Sequence, residues 1–207
     1  MKQLFFGLLA TLSVIAYSCG DNTSTEQTNT QQEENASAGH ATTDENAEIK
    51  VVKASFTNVD AGAAAQMKTI TDHYLQIKNA LTDEKASEAG AAAKAMLETV
   101  KGFDKSLLTA DQKKVYDQYE AGLKEQAAHI SKSTNDLEHQ RERFATMSDN
   151  MYALVKAFGG GKTLYHDHCP MAKDNKGAMW LSETKEIRNP YFGEKMMKCG
   201  SVEEEIQ

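Results

Sequence analysis

The chain has 207 residues, a formal net charge of -7, 7% aromatic residues, two prolines and three cysteines. The acid surplus leaves no basic excess to neutralise phosphates, which excludes a nucleic-acid binder. The length suits one domain once export and tether segments are set aside, and with both prolines (Pro170 and Pro190) near the C-terminus, no proline interrupts helices across the middle.

In chain order, "MKQLFFGLLATLSVIAYSCG" combines Lys2, an apolar run from Leu4 to Tyr17 and small residues before Cys19. The run is shorter than the roughly 20 apolar residues of a membrane span and has the proportions of a signal-peptide core. Residues 1–18 are therefore expected to be a lipoprotein signal peptide. "AYSC" resembles a bacterial lipobox, with Ala16 where leucine is usual, and Cys19 is the expected lipidation site; ordinary cleavage near Ser18 is the alternative. Either route places the chain outside the cytoplasm, where thiols tend towards disulfides. Residues 19–50, rich in Asn, Thr, Gln and Glu and without an aromatic, read as a disordered tether, His40 included. A tether after a lipidated cysteine lets a folded domain stand off the membrane that holds it.

Residues 51–160 carry four helical patterns. Val59, Ala63, Met67, Ile70, Tyr74, Ile77 and Leu81 share the first face. Ala86, Ala89, Ala93, Met96, Val100 and Phe103 share the second, with Thr82 or Asp83 as the start and an end near Gly102. The third opens at "TADQ", where Thr109 and Gln112 have capping-box spacing, and its stripe is Val115, Tyr119, Leu123, Ala127 and Ile130. The fourth starts near Asn135, with Glu138 three residues on, and buries Leu137, Phe144, Met147, Met151, Leu154, Val155 and Phe158 before "GGG" ends it. Met147 and Met151 are core filler on this reading, and His73, His129 and His139 lie on helix faces. The expected fold is all-α, an up-and-down four-helix bundle followed by an irregular segment, 161–207, belonging to the same domain.

That last segment holds both prolines, the single tryptophan, and Cys169 and Cys199. "DNKG" and "NPYFG" read as turns, Ser182 as the cap of a short helix through Ile187, and "VEEEIQ" as a solvated tail. In "YHDHCPMA" an extended backbone puts His166 and His168 on one side, and Cys169 with Asp167 on the other. Only a bend, for which Pro170 is the candidate, brings them and Met171 to one centre. Imidazole, thiolate and thioether form a soft to borderline donor set that suits Cu(I) and Ag(I), with zinc as a further option. "MMKC" adds Met196, Met197 and Cys199. The competing reading is a Cys169–Cys199 disulfide, with Trp180, Tyr191 and Phe192 packing the segment onto the bundle. The two can also alternate, a dithiol binding metal when reduced and closing when oxidised.

From about Val52 onward the chain resembles the family known as domain of unknown function 3347, on the strength of "YHDHCPMA", "WLS", "IRNPYFG" and "MMKCG". "HCPM" is also similar to the "TCPMHP" core of small heavy-metal-binding domains, although here the histidines precede the cysteine and Ala172 stands where "HP" would begin. The resemblance implies a Bacteroidetes envelope protein related to domains fused to adaptor subunits of heavy-metal efflux pumps. It implies copper or silver handling with His166, His168, Cys169, Met171 and Cys199 as ligands and Met196 as a further one. The expectation is a lipid-anchored, non-enzymatic protein of the bacterial cell envelope, at the outer membrane facing the periplasm. It would bind the metal ion and buffer it or pass it to an efflux adaptor. The alternative is a structural or interaction module, its Cys169–Cys199 disulfide closed, that docks on an envelope partner.

Overall fold

The computed structural model describes residues 49–207. The expected signal peptide, the lipidation site Cys19 and nearly all of the tether, His40 included, lie outside the described residues. Four long helices form where the apolar spacing places them: α1 (Ala61–Thr82), α2 (Ala86–Lys101), α3 (Ala110–Lys132) and α4 (Leu137–Phe158). Consecutive helices pack together and α1 closes onto α4, giving the up-and-down arrangement that short connections favour. Asp60 caps α1, its carboxylate accepting the amides of Gly62 (2.7 Å) and Ala63 (3.3 Å). The capping box of α3 is present: the Gln112 amide donates to Thr109 Oγ1 (3.3 Å) and the Thr109 amide to Gln112 Oε1 (3.0 Å).

Three local expectations are corrected. Thr82 is the last residue of α1, its hydroxyl turned back on the Lys78 carbonyl, and α2 starts after Lys85 without a side-chain cap. Asp136, not Asn135, caps α4 by accepting from the His139 amide. In α3 the inward aromatic is Tyr116, fully buried and stacked on Phe103 at 4.2 Å, whereas Val115 and Tyr119 are only partly covered. Met147 and Met151 are fully buried core residues, and no helix among the described residues is long and apolar enough to cross a membrane.

The larger correction concerns the C-terminal segment, which is not irregular, so the fold is not all-α. Strands β2 (Leu164–Cys169), β3 (Ala178–Ser182) and β4 (Ser201–Ile206) join β1 (Lys50–Val52) in a mixed sheet of order β1-β4-β2-β3. β1 runs parallel to β4, and β2 antiparallel to both its neighbours. Ser182 ends β3 instead of capping a helix. "DNKG" is the expected turn, with Lys173, Asp174 and Asn175 at φ of 53°, 56° and 64° before Gly177. "VEEEIQ" is the greater part of β4, a central strand whose Ile206 is 1% exposed. Glu204 points inward with it and is satisfied there by Tyr152 Oη (2.6 Å), Lys156 Nζ (3.3 Å) and Lys50 Nζ (2.9 Å). Against the desolvation of its burial, those hydrogen bonds hold the Glu204 carboxyl down at about 2.

Sheet and bundle share one core. Tyr74 of α1, stacked on Phe144 at 5.1 Å, accepts the Leu181 amide (3.0 Å) and hydrogen-bonds Ser148 of α4 (2.8 Å). Trp180 is fully buried and meets Tyr191 edge-on at 6.0 Å. Arg141 of α4 donates to the carbonyls of Pro190 (2.9 Å) and Leu81 (3.2 Å) and to Glu84 (3.1 Å), pinning the "NPYFG" turn to the α1–α2 corner. Gly193 in that turn has φ 56°, and a Cβ there would lie 2.6 Å from Glu84 Oε1. Removing residues 201–207 takes out a strand with neighbours on both sides and exposes the Ile206 site. The expected loss is about 3 kcal/mol or more in urea unfolding followed by Trp180 fluorescence; a solvated tail would cost less than about 0.5 kcal/mol.

Candidate functional site

The strand β2 presents "YHDHC" with the alternation that extended backbone imposes. Cys169 faces the core and is 0% exposed. Cys199 reaches it from the loop before β4, and the two Sγ atoms lie 2.7 Å apart, as thiols. Asn189 holds that loop. Its Nδ2 donates to the Cys199 carbonyl (2.7 Å), its Oδ1 accepts the amides of Tyr191 (2.8 Å) and Phe192 (3.3 Å), and its own amide donates to the Met197 carbonyl (2.9 Å). Gly200 has φ 135°, and a Cβ there would sit 2.9 Å from both the His168 carbonyl oxygen and the Trp180 ring. Both the conformation and the close approach therefore demand glycine after Cys199.

Two methionines flank the thiols. Met171 follows Cys169 by two residues, and the Cys199 amide donates to the Met196 carbonyl (3.0 Å). Met171 is 47% exposed, and the side chains of Met171 and Met196 line one open groove of ≈ 890 Å³ together with Arg141, Tyr191 and Phe192. Met197 is partly buried. Burial, then the hydrogen bond and proximity of Cys169, push the Cys199 thiol up to about 11. At neutral pH it is protonated, so a cation bound there must displace a proton.

The histidines stand apart from this sulfur group. His166 stacks on Tyr152 of α4 at 4.4 Å. Glu203 reaches both imidazoles, with Oε2 3.5 Å from His166 Nδ1 and Oε1 3.3 Å from His168 Nδ1. It can do so because pairing jumps from His166↔Glu204 to Asp167↔Val202, leaving Glu203 as an extra residue in a bulge. Burial lowers His166 below the usual imidazole range, against the pull of Glu203 and Glu204. The expected six-residue set is thus divided into Cys169, Cys199, Met171 and Met196 on one hand and His166 and His168 on the other. Pro170 turns the chain only after Cys169, too late to cancel the strand's alternation. Among the described residues, no three His, Cys, Asp or Glu side chains are grouped as one metal cage.

The profile of the family described as "Protein of unknown function (DUF3347)" matches residues 70–163. This part of the chain belongs to the DUF3347 family. The match covers most of the bundle and stops just before β2, so it does not extend over the motifs on which the resemblance was read. No curated protein and no solved structure matches the chain.

Asp167 is a site residue that escaped the sequence reading. Asp167 is fully buried directly opposite Trp180 in the β2–β3 ladder, and neither its carboxyl oxygens nor the indole N–H has a hydrogen-bond partner. Burial pushes its carboxyl up to about 8, opposed by the charge of Lys78, which is itself buried and paired with Glu183 at 3.1 Å. The only sequence signal was a charged residue sharing the inward parity of Cys169. The folded chain keeps a proton here that the unfolded chain releases from 3.8 upward, so this group's contribution to stability declines as pH rises from about 4 to about 8. Asp167→Asn should stabilise by about 2 kcal/mol or more at pH 8, and the gain should vanish below pH 4. Urea unfolding at the two pH values tests this; an equal effect at both would exclude the buried-acid account.

Proposed function

We propose that the chain is a lipid-anchored protein of the bacterial cell envelope that binds a soft metal ion, Cu(I) or Ag(I), and buffers it or passes it to a heavy-metal efflux adaptor. Placement at the outer membrane facing the periplasm, and a binding rather than enzymatic role, belong to this reading. The observation that carries it is the grouping of four sulfur-bearing residues: Cys169 and Cys199 in contact, Met196 accepting the Cys199 amide through its carbonyl, and Met171, two residues after Cys169, lining one groove with Met196. Thiolate and thioether are the donors that soft ions select, and a thioether binds without losing a proton. The expected ligands are therefore the two cysteines, with the methionines at the mouth; the histidines, engaged with Glu203, are peripheral to the ion. Two sulfurs on one ion stand roughly 4 Å apart, given metal–sulfur bonds of about 2.3 Å. An ion held by both cysteines would therefore part the two sulfurs from their 2.7 Å contact. The resemblance to domains fused to efflux adaptors supports the delivery step.

A second reading, a structural or interaction module with a Cys169–Cys199 disulfide, is favoured by that same 2.7 Å contact. A Cu(I) competition titration on the chain, anaerobic and reduced, separates the two. Tight one-to-one binding is expected. Cys169→Ser and Cys199→Ser should each lower affinity by about 100-fold or more, Met171→Leu by about tenfold, and His168→Ala by less than about threefold. Binding that survives loss of either cysteine would overturn the sulfur site. Two thiols counted in protein isolated without reductant would argue against a purely structural bridge.

A further inference from the structure

The loop that carries Cys199 does not depend on a covalent bond to Cys169. It is held by four hydrogen bonds of the fully buried Asn189, by Arg141 on the Pro190 carbonyl and by the Tyr191 hydroxyl on the Met179 carbonyl. A structural cross-link stabilises by restricting a chain that would otherwise be free; here hydrogen bonds that do not involve the sulfurs already restrain the loop. The S–S bond can therefore open and close without taking the fold with it. The two sulfurs also differ in access, since Cys169 is 0% exposed and Cys199 is partly exposed next to the Met171–Met196 groove.

We infer that Cys169 and Cys199 are an exchange-active redox pair, in which Cys199 alone meets an external thiol or disulfide and Cys169 is the internal partner. In the closed form, a low-molecular-weight thiolate attacks the Cys199 sulfur. Its sulfur bonds to Cys199 while the Cys169–Cys199 bond breaks, and the electron pair leaves on Cys169, which takes a proton from water. A second thiolate attacks the outer sulfur of this mixed disulfide and releases Cys199, so the pair gains two electrons and two thiols become one disulfide. Because the small thiolate is the attacking group, Cys199 need not ionise to begin. In reverse, an external disulfide is reduced and the pair closes. The reaction uses the sulfurs of the proposed metal site but no ion, so the two readings stand or fall separately.

The test uses the full chain stripped of metal, with glutathione and its disulfide as the probe and peptide mapping to separate these sulfurs from Cys19. In the wild type, glutathione disulfide should close the pair and excess glutathione should reopen it, with the helical circular dichroism unchanged. In Cys169→Ser a glutathione adduct should accumulate on Cys199, at least tenfold above that on Cys169 in Cys199→Ser. Equal labelling of the two sulfurs, or a wild-type pair that fails to close or reopens only when the helical signal is lost, would overturn the proposal. The wild-type arm decides it even if a variant does not fold. Cu(I) binding by the reduced chain is read separately, so its absence would remove the metal reading and leave this one intact.

Discussion

Asn189 is fully buried and spends every polar group of its side chain on the loop that bears Cys199. Few other side chains can do this: the position needs a donor for one carbonyl and an acceptor for two amides within one small planar group. The fixed φ of Pro190 then aims the chain towards Arg141, and Tyr191 and Phe192 follow in the positions from which they cover the core. Everything proposed about the sulfurs rests on this restraint. It brings Cys199 back 30 residues along the chain to Cys169 without using a covalent bond to do so. It also fixes which of the two sulfurs lies nearer the solvent.

Alternation along β2 is the second constraint, and it separates chemistries that the sequence sets side by side. Cys169 and Asp167 face the core together, whereas His166 packs on Tyr152 of α4 and His168 lies further out. The bulge at Glu203 then supplies the histidines with a carboxylate of their own. On the proposed reading, a soft ion at the sulfurs would meet little competition from imidazole. Its surroundings would instead be apolar side chains and the raised Cys199 thiol, where binding would cost a displaced proton and gain from the exclusion of water.

The helices were legible because their stability follows from periodic apolar faces and local caps, both written in neighbouring residues. Thr109 and Gln112 identify each other at a distance of three residues, and Met147 and Met151 declare themselves as core by phase. Where the phase was misjudged, Tyr116 for Tyr119, the error is one position on a face that is broad in any case. The sheet was not legible, because its strands are five or six residues long at most and place acids inward. Asp167 sits opposite Trp180, and Glu204 is tolerated only because Lys50, Tyr152 and Lys156 converge on it from 48 to 154 residues away. Nothing local to "VEEEIQ" discloses those partners, so a central strand reads as an acidic tail. At the site, the pairing of two cysteines was visible from their scarcity, whereas Asn189 and Glu203 act through a loop clamp and a bulge that only the fold reveals.

The family match ends before β2, yet the helices it covers already hold the contacts that seat the sheet. Tyr74, Lys78, Arg141, Ser148, Tyr152 and Lys156 all fall within residues 70–163, and each makes a polar contact beyond the bundle or completes one. Without the sheet, the Tyr74 hydroxyl would lose the Leu181 amide, Arg141 the Pro190 carbonyl, and the buried Lys78 ammonium the Glu183 carboxylate. Each loss would leave a polar or charged group short of a partner in an apolar setting, at a cost of about 1–3 kcal/mol apiece. A bundle meant to stand alone would carry apolar residues at those positions. Their polar character means that the helical part is shaped around a segment of this kind, and that the rigid frame and the sulfur pair it presents form a single unit of structure.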